Sequence, residues 1–293
     1  MVYEYNSRIH LAEVVLNVRD LAGQTAFYHQ LLGLEIIHQS EEEVLLGAGE
    51  KPLVKLIQTE NTGNPKQSYG LYHMALLLPS REDLANVFKH LLDLKIPLVG
   101  GADHGYSEAI YLEDIEGNGI ELYRDKPVTV WDIREDGRII GVTEELSAQD
   151  IYELGQELDP FVIASGTRMG HVHLSVKNSR EASAFYQGSL GLANKFTIPH
   201  ASWIASGNYH HHLAVNEWGG KNLAPREQGM AGLAYYVVEV ENKEELLKVF
   251  AQSQTGKAIT QWISSSEFSM IDKDGIVTRV LEWEIRKERF SLL

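Results

Sequence analysis

The chain repeats itself, and the repeat limits its fold more than any local propensity does. The strand-like run Val14-Val15-Leu16-Asn17-Val18 is answered 158 residues later by Val172-His173-Leu174-Ser175-Val176. Phe27-Tyr28 returns as Phe185-Tyr186, and Leu32-Gly33-Leu34 returns as Leu190-Gly191-Leu192. A second unit follows each copy of the first. Gly70-Leu71-Tyr72-His73 is echoed by Gly232-Leu233-Ala234-Tyr235, and Val87-Phe88 by Val249-Phe250, both at an offset of 162. The polar turn Asp114-Ile115-Glu116-Gly117 is matched by Asp272-Lys273-Asp274-Gly275. Each unit reads as one strand, one helix, then several strands. The chain is therefore an α+β protein of four βαβββ modules starting near residues 8, 68, 168 and 230, since repeated units bury their faces against one another.

The length of 293 residues suits two domains of about 100–200 residues each. Residues 8–125 hold modules one and two, 126–167 form a connector, and 168–286 hold modules three and four. With 26 Lys+Arg against 41 Asp+Glu, the net charge of −15 argues against a nucleic-acid or anionic-membrane partner. No apolar stretch reaches the ~18 residues of a membrane span, and Met1-Val2-Tyr3-Glu4-Tyr5 does not read as a signal peptide. The chain has no cysteine, which removes disulfides, thiolate nucleophiles and thiolate metal sites together. A cytoplasmic location is expected, and any metal must be held by nitrogen and oxygen.

Two stretches carry most of the remaining information. Gly70 to Pro79 is an apolar run of strand length with His73 near its start. A buried imidazole needs a partner for each ring nitrogen, and a metal is one such partner; a satisfied core histidine is the other reading. The connector includes a helix expected over Ser147–Leu158 with Ser147 as N-cap. So long a connection fits either a crossover that pairs non-adjacent modules or a plain interdomain linker.

The four modules, with His73 at a strand start and the ending Asn118-Gly119-Ile120-Glu121-Leu122-Tyr123, resemble the vicinal oxygen chelate superfamily of glyoxalase I, bleomycin-resistance proteins and extradiol dioxygenases. The resemblance covers nearly the whole chain. It is strongest to two-domain catechol 2,3-dioxygenase (CatE-type) proteins, through Asp103-His104, Ser107-Glu108-Ala109, Gly170-His171-Val172-His173 and Tyr209-His210-His211-His212. The implied fold is two glyoxalase-like domains, in which two modules form a cup and metal ligands lie on first and last strands.

Mapped residue by residue, the first-strand positions are Glu13, His73, His171 and Tyr235, and the last-strand positions lie near Lys55, Glu121, His212 and Arg279. Modules one and four offer no credible metal site. Modules two and three offer His73, Glu121 and His171, the two-histidine, one-carboxylate set of non-haem iron oxygenases. This segregation favours a cup built from modules two and three over sequential pairing. The resemblance implies Fe(II), with Mn(II) or Zn(II) as alternatives, and a ring-cleaving reaction of a catechol- or hydroquinone-type aromatic with O2. It also implies roles for Tyr111 and His104 at the substrate oxygens and for His212 as acid–base. By strand alternation His210 and His212 share one face with His211 opposite. The residue-level alternatives are that Tyr111 is an ordinary strand residue, His104 part of a turn, and His212 a fourth ligand or one of a solvent-facing run. Trp203, Tyr209 and Trp218 flank the histidines and read either as shaping the pocket or, as most such residues do, as packing, with no catalytic role. A glyoxalase-like isomerase or lyase, or a bleomycin-resistance-type binding protein, are the competing functions. Self-association into a homo-oligomer is implied by the resemblance alone.

Overall fold

The computed structural model describes residues 4–283 except 62, 64 and 221. Residues 1–3 of the N-terminal stretch and 284–286 of the last segment lie outside the described residues. Module one comprises β1 (Ile9–Val18), α1 (Leu21–Ala26), β2 (Glu35–Gln39), β3 (Glu43–Ala48) and β4 (Lys51–Gln58). Module two comprises β5 (Gly70–Leu77), α2 (Arg81–Asp93), β6 (Gly100–Asp103), β7 (Ser107–Glu113) and β8 (Gly119–Asp125). The connector holds a short hairpin, β9 (Asp132–Ile133) and β10 (Ile139–Ile140), and α3 (Ala148–Leu154). Module three is β11 (Arg168–Ser175), α4 (Ser179–Leu190), β12 (Ala193–Ile198), β13 (Ala201–Ala205) and β14 (Leu213–Asn216). Module four is β15 (Gly232–Val240), α5 (Lys243–Thr255), β16 (Ile259–Ser264), β17 (Glu267–Ile271) and β18 (Val277–Glu282).

Local chemistry starts and stops these elements where the sequence punctuates them. Ser80 caps α2 by accepting from the Asp83 amide, and α2 buries Leu84, Ala85, Val87, Phe88 and Leu91 at helical spacing. Asn178 caps α4, which ends at Gly191 in the left-handed conformation (φ 67) that glycine adopts at little cost. Central strands such as β1 are buried almost throughout, so they read as mostly apolar runs without regular polar alternation.

Two eight-stranded mixed sheets result, each a half-barrel. Their strand orders are β16-β17-β18-β15-β1-β4-β3-β2 and β12-β13-β14-β11-β5-β8-β7-β6. Each sheet is joined at its centre by an antiparallel pair of first strands, β1 with β15 and β5 with β11. Modules one and four thus share one sheet and modules two and three the other. The division into 8–125 and 168–286 therefore describes module order along the chain and cuts across the make-up of both sheets.

The connector departs from both readings given for it. It joins β8 to β11, two strands of the same sheet, so it is no crossover between sheets. It is no free linker either, because Trp131 and Ile139 are buried with Tyr106 and Tyr209, and Tyr152 donates to Asp93 of α2 at 2.8 Å. The helix is shorter than expected. Ser147 makes no capping hydrogen bond, and α3 stops at Leu154 because Gly155 turns extended and packs its backbone on that of Ala85. Among the described residues no helix is long and apolar enough to cross a membrane.

Candidate metal centre

Ala75, in the middle of β5, organises the site. Across one edge it pairs with His171 of β11; across the other it pairs with Glu121 of β8. His73 lies two residues earlier on the same strand, hence on the same face. Three neighbouring strands therefore present His171, His73 and Glu121 to one concave surface, with a methyl group between them that leaves room. Potential ligand atoms of the three residues all lie within 4.8 Å of one another.

Two of the three donors, His171 and Glu121, have the protonation a divalent cation requires. Burial pushes the His171 imidazole down to about 4 against the pull of Glu121, so its ring is neutral at pH 7. Burial opposes ionisation of Glu121, yet its two histidine partners hold the carboxyl well below the usual range. Nε2 of His73 and Nε2 of His171 stand 2.9 and 3.0 Å from the same oxygen, Glu121 Oε2. His73 Nε2 is nonetheless buried without a partner in hydrogen-bonding geometry. Two imidazole nitrogens crowding one carboxylate oxygen, one of them unsatisfied, fit a shared cation better than a hydrogen-bonded cluster. This buried His/Glu/His group could bind a metal.

The group opens into a cavity of about 510 Å³, within the range of small-ligand pockets. Tyr111 and His104 both line it and lie against each other, Tyr111 Oη to His104 Nε2 at 2.6 Å. His104 Nδ1 is 2.8 Å from the Val142 carbonyl, so Nδ1 carries the proton and Nε2 accepts from the tyrosine. Burial beside Glu121 pushes the Tyr111 hydroxyl well up, keeping it protonated. Trp203, Trp218 and Phe196 supply apolar walls, so the two tryptophans face the cavity and not only the core.

His212 is placed elsewhere. Its ring lies with His10 and Tyr209 around a separate small space, and its Nδ1 accepts from the Ser206 amide at 3.2 Å. His211 lines the cavity instead, its ring centroid 4.1 Å from that of His171. Alternation failed here because residues 206–212 form a turn, and the ladder of β14 begins only at Leu213. Nor is the run solvent-facing, since His210, His211 and His212 are all buried.

Three further residues of the cavity lie outside the set that the sequence marks as a site. His173 follows His171 at period two, the one signal that could have found it; it pairs directly with His73 across the sheet centre and its Nε2 is buried and unsatisfied. Val142 and Thr143 reach the cavity from the connector, a contact with no local signature.

The corresponding face of the other sheet is occupied by ion pairs. Lys55 meets Glu43 at 2.7 Å, while Arg279 meets Glu267 at 3.3 Å and stacks over Tyr235 at 3.8 Å. Glu13 is buried there and is not part of the His/Glu/His group.

Comparison with known proteins agrees with this architecture. Residues 10–122 match the model of the Glyoxalase/Bleomycin resistance protein/Dioxygenase superfamily. Catechol-2,3-dioxygenase of Bacillus subtilis (strain 168) is 33% identical over 243 residues, covering 81% of this chain and 85% of that protein. Biphenyl-2,3-diol 1,2-dioxygenase 3 of Rhodococcus globerulus is 28% identical over 123 residues, 41% of this chain and 65% of that protein. Among solved structures, a putative dioxygenase from Bacillus subtilis superposes with a TM-score of 0.64 at 10% identity over 94% of this chain and 85% of that one. Glyoxalase I from Zea mays gives 0.59 at 14% identity over 97% and 96%. With a relative 33% identical over most of both chains and a family model matching residues 10–122, the chain belongs to the glyoxalase/bleomycin resistance protein/dioxygenase, or vicinal oxygen chelate, superfamily.

Proposed function

We propose that this protein is an extradiol ring-cleavage dioxygenase that binds a catechol-type aromatic and O2 at a metal held by His73, Glu121 and His171. The observation that carries the reading is the convergence of that buried group with Tyr111, His104 and His211 on one cavity with aromatic walls. The names of the two relatives support it. A three-member donor group leaves coordination positions open, as a metal that takes both substrate oxygens and O2 requires. Iron in the ferrous state suits two imidazoles and one carboxylate and would supply a chelation point and a path for electrons from the aromatic diol, the reductant, to O2; Mn(II) and Zn(II) fit the same donors.

The chain's own residues then have separable tasks. Trp203, Trp218 and Phe196 hold the ring and exclude water. Tyr111 and His104 share one proton between Oη and Nε2, placed for a substrate oxygen beside Glu121. His211 takes the acid–base role assigned above to His212: a neutral imidazole at the cavity wall accepts a catechol hydroxyl proton and later returns it to the opening ring. The glyoxalase-like alternative drew on His212 as a fourth ligand, and His212 lies outside the cavity lining.

The test is anaerobic Fe(II) titration followed by O2 uptake with catechol, on wild type, His73→Ala, His171→Ala and Glu13→Ala. Loss of iron and uptake in both histidine variants, with both retained in Glu13→Ala, supports the proposal. Dependence on Glu13 and indifference to His171 would overturn it.

A further inference from the structure

Behind His211 runs a chain of hydrogen bonds that the ring-cleavage reading does not use. It begins at Asp125, the last residue of β8, whose carboxylate oxygen lies 2.9 Å from His210 Nε2. A carboxylate can only accept, so His210 Nε2 carries a proton. Tyr209 and Tyr5 also direct hydroxyls at Asp125, at 3.4 and 3.3 Å. In the Nε2–H tautomer that this hydrogen bond selects, His210 has a bare Nδ1. That atom lies 2.7 Å from Nδ1 of His211, a separation that needs one proton between them. Only His211 can supply it. Its proton is thereby held on Nδ1, and its Nε2 is left with a lone pair for the cavity.

The chain is also locked in place. The ring of His210 is sandwiched between Tyr106, stacked at 4.2 Å and 12°, and Tyr209 at 4.0 Å, and Trp131 of the connector closes the third side at 5.3 Å. Tyr209 is fixed in turn by Tyr123, hydroxyl to hydroxyl at 2.7 Å. Because His210 and His211 precede the point at which the backbone joins the ladder at His212, these contacts rather than backbone pairing set where the two histidines point.

We infer that Asp125 and His210 are positioning residues that hold His211 in the Nδ1–H tautomer, so that its Nε2 faces the cavity as a base. The inference rests on the dioxygenase reading only for the reaction that His211 serves; the hydrogen-bond chain stands on geometry alone. A tautomer fixed by a second-layer acceptor spares the base the cost of rearranging when it takes a proton.

The test is long-range 1H–15N correlation on 15N-histidine-labelled protein loaded with diamagnetic Zn(II), with the His211 signals identified by their absence in His211→Ala. The expected wild-type spectrum shows His211 protonated at Nδ1. His210→Phe and Asp125→Leu should shift it toward the Nε2–H tautomer, while Asp125→Asn, whose carbonyl still accepts, should restore the wild-type pattern. With Fe(II), His210→Phe should lower kcat by roughly 10–100-fold while KM for catechol and iron stoichiometry hold, the usual cost of removing a partner that orients a site histidine. The proposal is overturned if wild-type His211 carries its proton on Nε2, which would mark His210 as an imidazolium, or if His211 keeps its tautomer in both His210→Phe and Asp125→Leu. Asp125 sits at the more exposed end of the chain, so Asp125→Leu decides the question if His210→Phe fails to fold. If the tautomer shifts as expected while even wild type takes up no O2, the dioxygenase reading fails and the hydrogen-bond chain stands.

Discussion

The hydroxyl of Tyr28, just past α1, donates to Asp114 in the β7–β8 turn at 2.9 Å, joining a helix of one sheet to a turn of the other. Its repeat partner does the reciprocal thing, Tyr186 of α4 donating to Asp272 in the β17–β18 turn at 2.8 Å. Both tyrosines are fully buried. The aspartates close their own turns as well, Asp114 accepting from the Asn118 amide and Asp272 from the Ile276 amide. Modules adjacent in sequence are thus tied to each other across sheets that pair modules differently. Tyr28→Phe and Tyr186→Phe should each lower stability by about 1–3 kcal/mol, the cost of leaving a buried acceptor short of a donor. Urea unfolding measures this, and unchanged midpoints in both variants would show that the pairs hold nothing together.

Glu108 on β7 gathers two guanidinium groups, Arg81 Nε at 2.9 Å and Arg124 Nε at 2.7 Å. Burial opposes its ionisation, but the two arginines hold its carboxyl below the usual range. A folded-state pKa below the unfolded value means the stabilisation is present above the unfolded pKa and is lost as pH falls through the folded one. Wild type should therefore lose stability faster than Glu108→Gln as pH drops from 5 toward 3. At pH 7 the variant should be weaker by roughly 2–4 kcal/mol, discounted from a fully buried pair because Arg81 stays partly in water. Parallel pH profiles for the two proteins would count against this account.

Tyr111→Phe removes the hydroxyl that links His104 to the Glu121 side of the cavity. Iron binding should persist, because no ligand atom is lost. Turnover should fall by about 10²–10³, on the order of the loss of one positioned hydrogen-bonding group in an active site. Steady-state O2 uptake on iron-loaded protein checks this, and unchanged turnover would remove Tyr111 from the mechanism.

Trp131 anchors the connector, donating from Nε1 to the Lys126 carbonyl at 2.9 Å and stacking on Tyr5 at 5.4 Å. Trp131→Ala should destabilise the fold by about 3–5 kcal/mol, as large-to-small changes at buried aromatics do. Denaturant unfolding reads the loss, and a cost near zero would mean that the connector is a loose tether.

Much of this protein is legible in its sequence because repetition and periodicity are local signals. The offsets of 158 and 162 set out four modules, and the runs around Val14, His73, His171 and Tyr235 became the four central first strands. The uneven placing of histidines, none at the first-strand positions of modules one and four, was enough to favour a cup from modules two and three. The structure brings His73, Glu121 and His171 together on that cup. What failed was parity within the histidine run. Alternation needs a strand, and the turn through residues 206–212 is held by Tyr106 and Asp125, partners far away in the chain, with Tyr209 packing on His210 from within the turn.

The sequence by itself determined the modules, their boundaries to within a few residues and the residue types able to hold a cation, because these depend on side-chain chemistry and short-range spacing. Only the tertiary structure decided that His211 rather than His212 meets the cavity, that Val142 of the connector fixes His104, and that Tyr28 and Tyr186 lock the modules crosswise. Those relations depend on register across strands and on packing between distant segments, where a shift of one residue sends a side chain to the opposite face.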